Sequence, residues 1–187
     1  MKIIAFGHRK QVGKNLTASL LYQNLVCDHP GMKIEVVGFA DPLYYIANYV
    51  YGWAGFKTKE YYEKFPHTKG IDLPALGMSP RELLIKLGTK AIRENVYDAT
   101  WIDYAVKKER SCDLLVITDL RFPNEFNHIK NMNGLCIRVD RPSVPTTNDI
   151  ADNALTGDYA WDHIITNDGS KRDLNTKIMT LWRGLSW

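Results

Sequence analysis

Apolar runs and helix-like periodicities alternate along the chain from its first residues. A short apolar run from Lys2 to Phe6 ends at Gly7, and leucines then recur at near-helical spacing, at Leu16, Leu20, Leu21 and Leu25. An apolar run bounded by glycine is typical of a strand, and recurrence every three to four residues is typical of a helix. This part of the chain is therefore predicted to form a strand, a loop and a helix.

A second strand is predicted from Ile34 to Val37, followed by a helix in the sequence FADPLYYIANYVYG. Asp41 is predicted to cap that helix and Pro42 to begin it, with an end near Gly52. From Trp53 to Met78 the chain is rich in Gly, Lys, Tyr and Pro and has no clean period. This composition predicts a mobile or irregular excursion over the surface.

The clearest helix start is Ser79-Pro80-Arg81-Glu82, which supplies a capping-box serine, a proline at the first helical position and an acid at the third. Apolar residues then mark one face of the helix, at Leu83, Leu84, Leu87 and Ile92. Another helix is predicted from Trp101 to Lys108. The continuous apolar run DLLVIT, from Asp113 to Thr118, is typical of a strand that is buried on both faces, as parallel sheets require.

The last third of the chain adds two strands and a helix. The segments LCIRV, from Leu135 to Val139, and HIIT, near the C-terminus, are strand candidates, and a Pro, Thr, Asn and Asp-rich loop from Asp140 to Asp158 separates them. The final helix is predicted to start at Ser170, with Asp173 completing a capping box, and to run to about Gly184. Strands that alternate with helices in this way predict a three-layer α/β fold with a five-stranded parallel sheet.

Composition narrows the class of protein. The 187 residues are 45% apolar and 24% charged, with no window near the ~18 continuous apolar residues of a membrane span, so a soluble single domain is expected. The N-terminal apolar run is too short for a signal peptide, so a cytoplasmic location is expected. The three cysteines form no CxxC pair and are predicted to be reduced and structural. The dispersed net charge of +3 gives no reason to expect a nucleic acid polymer or a membrane as partner.

The first loop carries candidate phosphate chemistry. In GHRKQVGKN, five residues separate Gly7 from Gly13 where the phosphate-loop signature has four, and Asn15 follows Lys14 where the signature has Ser or Thr. When the frame is set from Gly13 backwards, His8 stands in the first-glycine position. A strand that leads through a glycine loop into a helix presents backbone N–H groups and a positive dipole end to an anion. A loop whose glycines only relieve backbone strain is the alternative.

A second candidate site follows the run DLLVIT. Asp119 comes directly after this run, and Arg121 follows two residues later. Ligands of open α/β sheets gather at the carboxyl ends of strands, where a carboxylate can hold Mg²⁺ and an arginine can bind phosphate. Arg81 and Arg93 are about three α-helical turns apart and are predicted to lie on one side of their helix. Arg138, inside an apolar strand, is a further candidate cation.

Taken in order, the motifs of this chain resemble those of the deoxynucleoside monophosphate kinases of bacteriophages. The family patterns are a GKD-type loop, FADPLxxxA, SPRELLxxLGTxxxR, W-[IV]-D, VITDxRFPNE, IRVxRP and ITNDGSxxDL. The matching segments of this chain are Gly13-Lys14-Asn15, Phe39 to Ala47, Ser79 to Arg93, Trp101 to Asp103, Val116 to Glu125, Ile137 to Pro142 and Ile165 to Leu174. No single motif is decisive, but their order and spacing together are specific.

The resemblance implies a P-loop kinase fold in a single domain, with an acceptor-binding excursion at residues 39–110 and a lid-like loop at residues 140–160. It also implies ATP as phosphoryl donor, Mg²⁺ as cofactor and a deoxynucleoside monophosphate as acceptor. Lys14 would contact the β and γ phosphates. The other residues implied to bind ATP are His8, Arg9, Val12, Gly13 and Asn15, with Asn167 near the adenine ring. Asp119 would hold Mg²⁺, with Asn15 as a second metal candidate.

The same resemblance implies the residues on the acceptor side. Arg81, Arg93 and Arg121 would bind the acceptor phosphate and the transferring group, and Arg141 would act as a lid arginine near ATP. Asp41, Trp101 and Glu125 complete the expected deoxynucleotide site. The implied catalytic set is Lys14, Arg81, Arg121 and Arg141. Small nucleotides are the expected partners, and a homodimer would be in keeping with the sequence.

Two departures from the family pattern leave questions open. Asn15-Leu16 stands where the family places Asp-Thr, so the group that replaces the hydroxyl at Mg²⁺ could be Asn15, Thr17 or a water held by Asp119. The lid-like loop also lacks the His-Ser-Glu-like stretch of the family. Two alternatives therefore stand beside the kinase hypothesis: another small P-loop kinase, acting on a nucleoside, ribonucleotide or metabolite, and a nucleotide-binding module that does not transfer phosphate. A structural cap for the last helix explains the segment around Asn167 nearly as well as an adenine contact.

Overall fold

The computed structural model of the protein describes residues 1–107, 111–146 and 150–185. Three residues at the end of the predicted excursion, 108–110, lie outside the described residues, as do residues 147–149 of the lid-like loop. The chain forms two compact units. One consists of Met1–Gly38 with Glu109–Trp187, and the other is Phe39–Lys108.

The first unit is built on a parallel sheet of five strands in the order β2-β3-β1-β4-β5. The strands are β1 Lys2–Gly7, β2 Ile34–Val37, β3 Leu114–Leu120, β4 Leu135–Asp140 and β5 His163–Thr166. Each neighbouring pair is parallel, so all five strands end at the same edge of the sheet. The predicted α/β fold with a five-stranded parallel sheet is confirmed.

Helices cover both faces of this sheet. The helices of the first unit are α1 Lys14–Asp28, α6 Pro123–Asn131, α7 Ile150–Asn153 and α8 Lys171–Gly184. Because successive side chains of a strand point to opposite faces, Ile4 and Ile3 of β1 face different layers. Ile4 lies in one core cluster with residues of α1 and α8. Ile3 faces the other way, where Gly134 is so close to it and to Ile129 of α6 that a Cβ there would meet both, at 3.2 and 2.7 Å.

The carboxyl edge of β3 is irregular where it passes β1. Ala5 pairs with Ile117, whereas Gly7 pairs with Leu120, so Phe6 alone faces the two residues Thr118 and Asp119. This extra residue is a β-bulge, a feature that re-aims side chains and is common beside functional sites. Asp119 is therefore the penultimate residue of β3, and it lies at the bulge that interrupts the regular ladder.

The second unit contains four α-helices among the described residues, with short turns of 3₁₀-helix between them. Its helices are α2 Asp41–Tyr51, α3 Lys59–Lys64, α4 Pro80–Ile85 and α5 Thr100–Lys107, and a π-helix continues α4 from Lys86 to Arg93. The helix from Trp101 was predicted to reach Lys108, and the described part of it ends at Lys107.

The prediction of a mobile or irregular surface excursion from Trp53 to Met78 is wrong in one respect, because this segment has a hydrophobic core of its own. Phe56, Tyr62 and Leu73 are 1, 2 and 8% exposed and pack with Ala47 and Leu83. The rings of Phe56 and Tyr62 meet edge to face, with centroids 5.2 Å apart. Short helices and 3₁₀ turns place these side chains at uneven sequence intervals, so the segment shows no period although it is packed.

Two predicted details of the helices in this unit also change. The N-cap of α2 is Ala40, not Asp41, and the carboxylate of Asp41 pairs with Lys59 Nζ at 2.6 Å. The capping box of α4 is confirmed, since Ser79 and Glu82 bond each other's backbone N–H groups. However, the π-helix after Ile85 has a different period from an α-helix, so the α-helical count that placed Arg81 and Arg93 on one side does not apply.

The remaining predictions concern cysteines and membrane spans. Cys27, Cys112 and Cys136 form no disulfide; Cys112 and Cys136 are buried, whereas Cys27 is exposed. Within the described ranges no helix has the length and apolar character needed to cross a membrane.

Candidate active site

The loop between β1 and α1 has the backbone of a tight anion-binding loop. His8, Gln11 and Gly13 have φ angles of 96°, 61° and 105°, in the left-handed region that favours glycine. His8 occupies the position where the phosphate-loop signature has its first glycine, and it adopts the conformation for which that glycine is used. His8 therefore carries the backbone strain that a glycine at this position would avoid.

Lys14 is the first residue of α1 and is only 6% exposed. Its ammonium group donates hydrogen bonds to the carbonyl oxygens of His8, at 2.9 Å, and Arg9. Burial, together with the nearby charge of Arg121, lowers the pKa of Lys14 to about 7, against the opposing effect of Asp119 and Asp152. An anionic ligand beside this lysine would raise its pKa and restore its charge, which favours binding of the anion.

Thr17 lies one turn into α1, and its hydroxyl is bonded to the backbone at the start of that helix. Thr17 is fully buried, and both its N–H and its Oγ1 donate to the carbonyl oxygen of Gly13, at 2.9 and 3.0 Å. This back-bond is usual for a threonine inside a helix. Of the three candidates to replace the missing Mg²⁺ hydroxyl, Thr17 is therefore the one that the geometry disfavours.

Asn167 reaches the loop from the connection between β5 and α8. Its side-chain Nδ2 donates to the carbonyl oxygen of Val12 at 2.9 Å, and the residue is 8% exposed. A Cβ on Gly13 would lie 2.4 Å from the same nitrogen, so only glycine leaves room for this amide. Ser170 caps α8 by itself, through a capping box with Asp173. The segment thus supplies both a helix cap and a contact to the loop, but through different residues.

Asp119 and Arg121 lie on either side of Leu120, the last residue of β3. The charge of Arg121 lowers the pKa of Lys14, and the charge of Asp119 raises it. Arg121 is held through its main chain, because Glu125 accepts hydrogen bonds from the N–H groups of Arg121 and Phe122, at 2.8 and 3.0 Å. Glu125 is 6% exposed and closes the first turn of α6. Glu125 was predicted to bind substrate, and the structure gives its carboxylate this capping role.

A partly buried cluster of His8, Arg138 and Asp140 joins the start of the loop to the end of β4. Asp140 Oδ1 lies 2.7 Å from Nδ1 of His8 and accepts a hydrogen bond of 2.9 Å from Nε of Arg138. Burial and the charge of Arg138 lower the pKa of His8 below its usual 6.5 in spite of Asp140. His8 is therefore neutral at neutral pH, and Arg138 is an ion-pair partner of Asp140, which explains an arginine in an apolar strand.

The lid-like loop is attached to the phosphate loop through Asp152, which is 2% exposed. Asp152 Oδ1 accepts a hydrogen bond of 2.8 Å from the backbone N–H of Lys10, and its Oδ2 lies 3.4 Å from Lys10 Nζ. The carboxylate is also close enough to raise the pKa of Lys14. A carboxylate on a loop N–H group is the kind of contact that a phosphate oxygen makes.

Asp119 and Asn15 are the residues of this site that could hold a divalent cation. Asp119 offers a carboxylate at the bulged end of β3, and Asn15, one residue into α1, is exposed. Mg²⁺ in phosphoryl-transfer sites uses one or two carboxylates and completes its shell with water and substrate phosphates. Over the ranges that the structure describes, no cluster of three or more His, Cys, Asp or Glu side chains suits a metal ion. Asp119 and Asn15 remain the predicted ligands.

Two comparisons with known proteins point to the same family. Residues 46–178 match the family model described as deoxynucleotide monophosphate kinase. The chain belongs to this family. A protein of Acanthamoeba polyphaga mimivirus, provisionally named a deoxynucleotide monophosphate kinase, is 25% identical over 120 residues. This alignment covers 56% of the present chain and 61% of the viral protein.

One solved structure aligned with the chain is an unliganded sugar kinase from Janibacter sp. HTCC2649. It is 12% identical, with a TM-score of 0.43 over 98% of this chain and 95% of that one, a level that carries no argument about activity. The match to the deoxynucleotide monophosphate kinase family begins at residue 46, after the phosphate loop. The interpretation of residues 8–15 therefore rests on their own geometry.

Four of the predicted site residues lie in the second unit. Arg81 is exposed in the first turn of α4, and Asp41 is paired with Lys59. Arg93 places both Nε and one terminal nitrogen 3.1 Å from Asp98 Oδ1. Trp101 is 8% exposed and donates from its indole nitrogen to the carbonyl oxygen of Gly88 at 3.1 Å. This contact gives Trp101 a packing role in α5 and leaves little of its ring for a nucleotide.

The structure brings the other predicted residues together at the ends of the strands. Residues 8–15, which form the loop and the start of α1, follow β1. Asp119 is the penultimate residue of β3 and Arg121 directly follows that strand, Asn167 follows β5, and Arg141 is exposed directly after β4. Sequence reasoning missed Asp140 and Asp152. The position of Asp140 directly after a predicted strand was a usable signal. Asp152 lies in the short helix α7, in a stretch of sequence with no pattern that singles it out.

Proposed function

We propose that this chain transfers the γ-phosphoryl group of ATP to the 5′-phosphate of a deoxynucleoside monophosphate, which yields ADP and a deoxynucleoside diphosphate. The observation that carries the proposal is the buried Lys14, with its pKa near 7, at the start of α1 beside Asp119 and Arg121. This arrangement lies in a chain of the deoxynucleotide monophosphate kinase family. A buried lysine with a lowered pKa costs stability, and an anionic ligand would offset that cost.

The reaction needs positioning and charge compensation more than proton transfer. An oxygen of the acceptor phosphate forms a bond to the γ-phosphorus while the bond from that phosphorus to the β–γ bridging oxygen breaks. The acceptor oxygen is already ionised, so no general base is needed. Lys14 would offset charge on the β and γ phosphates, and Arg121 would offset charge on the transferring group. This chemistry explains why lysine and arginine, and not a pair of histidines, make up the proposed site.

Mg²⁺ would be held by Asp119, with Asn15 as the second candidate, and when bound it would neutralise phosphate charge. Asp119 fits this role because it is a carboxylate at the bulged edge of the sheet, and because its charge raises the pKa of Lys14. Thr17 fits it poorly, because its hydroxyl is committed to Gly13.

The acceptor side of the proposal involves the second unit. Arg81, Arg93 and Asp41 are proposed to bind the acceptor nucleotide, and Arg141 is proposed to act as the lid arginine. Arg81 is exposed, so it is available to a ligand. Arg93 is held by Asp98, and a phosphate would have to compete with that carboxylate. Arg81 is therefore the stronger of the two arginine candidates.

A panel of acceptors tests the substrate class. ADP formation from ATP would be followed with the four common deoxynucleoside monophosphates, their ribose counterparts, the unphosphorylated nucleosides and no acceptor, each with and without Mg²⁺. The proposal predicts Mg²⁺-dependent ADP formation with at least one deoxynucleoside monophosphate and far less with nucleosides. Turnover on nucleosides alone would favour the other class of small kinase. ATP binding without ADP formation on any acceptor would favour a binding module.

A further inference from the structure

We infer that Asn167 is a positioning residue of the phosphate loop, whose side-chain amide orients the Val12–Gly13 peptide so that the Gly13 N–H faces the bound phosphates. The inference rests on the proposed function, because it takes the loop to bind nucleotide phosphates. It departs from the expectation that Asn167 contacts the adenine ring of ATP.

Asn167 is fixed at both its main chain and its side chain. Its backbone N–H donates to the carbonyl oxygen of Asp140 at 2.6 Å, which ties it to the end of β4. Its side-chain Nδ2 donates to the carbonyl oxygen of Val12 at 2.9 Å. The residue is 8% exposed, so this amide lies inside the protein and is not a surface contact. A contact between residues 155 positions apart must come from the fold, not from local chain geometry.

Because a peptide unit is planar, the hydrogen bond to the carbonyl of Val12 also fixes the direction of the Gly13 N–H. In a planar trans peptide the C=O and the N–H point in opposite directions. The described backbone contains no cis peptide bond. When Asn167 holds the carbonyl of Val12 on one side, the N–H of Gly13 must point to the other side. The next carbonyl, of Gly13, is held in turn by Thr17 of α1, which directs the N–H of Lys14 out of the helix start.

Gly13 and Asn167 depend on each other for space. The φ angle of Gly13 is 105°, and a Cβ at this position would come within 2.4 Å of Asn167 Nδ2. The glycine therefore permits both the left-handed turn and the approach of the amide. An adenine contact explains neither of these features, because it would not need the side chain to be turned to the loop backbone.

The chemistry requires a donor at this position. An aspartate has the same shape as asparagine, but its ionised carboxylate accepts hydrogen bonds and cannot donate one to Val12. It would also place a negative charge beside a loop that has to attract phosphate. Asn167→Asp is therefore an isosteric test of the donor, and Asn167→Ala tests the loss of the amide altogether.

The experiment compares ligands with and without a base. Affinities for ATP, GTP and inorganic tripolyphosphate would be measured by calorimetry at one fixed Mg²⁺ concentration, for the wild-type protein, Asn167→Ala and Asn167→Asp. Asp168→Asn is the matched control, because Asp168 is the exposed neighbour and its carboxylate pairs with Lys177 on α8. Thermal unfolding of each variant without ligand would show that the fold is retained.

The inference predicts that Asn167→Ala weakens all three ligands by the same factor, about 5- to 30-fold, as expected for one lost orienting hydrogen bond. Asn167→Asp should weaken them further, and Asp168→Asn should leave them unchanged. Weaker ATP binding with unchanged tripolyphosphate binding would overturn the inference in favour of a base contact. Unchanged affinity for all three ligands would overturn it as well. If the wild-type protein bound neither ATP nor tripolyphosphate, the proposed function itself would fail, and this result is distinct because it does not depend on a variant.

Discussion

The ammonium group of Lys14 donates a hydrogen bond of 2.9 Å to the carbonyl oxygen of His8, six residues earlier in the same loop. Both residues are almost fully buried, at 6 and 4% exposure. The lysine thus spans its own loop and holds it closed, while its pKa is lowered to about 7 by burial and by Arg121. This one relationship links the shape of the loop, its stability and its response to an anion.

Lys14→Met should abolish phosphoryl transfer and stabilise the fold. Methionine fills a similar volume without a charge, so the cost of burying an ammonium group is removed, while the carbonyl oxygens of His8 and Arg9 lose a donor. The net expectation is a gain of roughly 1–3 kcal/mol in the free energy of unfolding at pH 7. Turnover should fall by at least about a hundredfold, as when one transition-state donor is lost. Urea unfolding and an ADP-formation assay measure the two effects. Lys33→Met, at an exposed position, is the control.

The stability difference between the wild type and Lys14→Met should depend on pH. Lys14 releases its proton near pH 7 in the folded chain and near 10.5 when unfolded, so the unfolded chain binds more protons between these values. Stability that depends on this group is therefore lowest below pH 7 and rises with pH towards 10.5. The wild type should gain on the methionine variant across that window. A constant difference would show that Lys14 keeps an ordinary pKa.

ATP binding should be coupled to proton uptake by Lys14. Phosphate charge next to the ammonium group raises its pKa from about 7, so at pH 8 the complex should take up on the order of one proton. Calorimetry in buffers of different ionisation enthalpy counts that proton. Affinity should weaken about tenfold per unit as the pH rises from 7.5 to 9. Lys14→Met should show neither effect, and equal proton uptake in both proteins would rule out Lys14 as the source.

Asp119→Asn should raise the Mg²⁺ concentration needed for turnover and lower the maximal rate. An amide is a weaker ligand than a carboxylate for a hard cation, and the loss of the Asp119 charge should also lower the pKa of Lys14 further. Mg²⁺ titrations of initial rate provide the test. Asp113→Asn, an exposed carboxylate that accepts from the Lys33 N–H at 2.9 Å, is the control. If Asn15→Ala shifted the Mg²⁺ dependence and Asp119→Asn did not, Asn15 would be the ligand instead.

His8→Gly and His8→Val should have opposite consequences for the loop. The φ angle of 96° suits glycine, so His8→Gly relieves strain while it loses the contact with Asp140, and stability should change by no more than about 1 kcal/mol. A β-branched valine is strained at this φ, and His8→Val should cost more than about 2 kcal/mol. ATP affinity should be kept in the first variant and weakened in the second. Equal losses in both would mean that the imidazole itself is needed.

The sheet and the ends of the main helices could be predicted because their signals are local. The run DLLVIT, the capping boxes at Ser79 and Ser170, and the glycine-bounded run before His8 each identify an element without knowledge of its neighbours. The π-helix after Ile85 and the small core of Phe56 and Tyr62 could not be predicted. They depend on packing between segments that are distant in sequence, and packing overrides local propensity.

The candidate site shows the same division. Lys14, Asp119 and Arg121 were predicted from motif and from position at strand ends, and the structure brings them together. The partners Asp140 and Asp152, and the role of Asn167 at Val12, depend on segments distant in sequence meeting in space. A residue type in a loop indicates what it could bind, but only the fold indicates which backbone group it meets.

The most direct test of the central claim follows the phosphoryl group itself. ATP labelled in its γ-phosphate would be incubated with Mg²⁺ and the best acceptor of the panel, and the products would be separated by chromatography. The account predicts that label appears in the deoxynucleoside diphosphate in equal amount to the ADP formed, and that Lys14→Met forms neither. Label that appears only as inorganic phosphate, or transfer that persists in Lys14→Met, would contradict it.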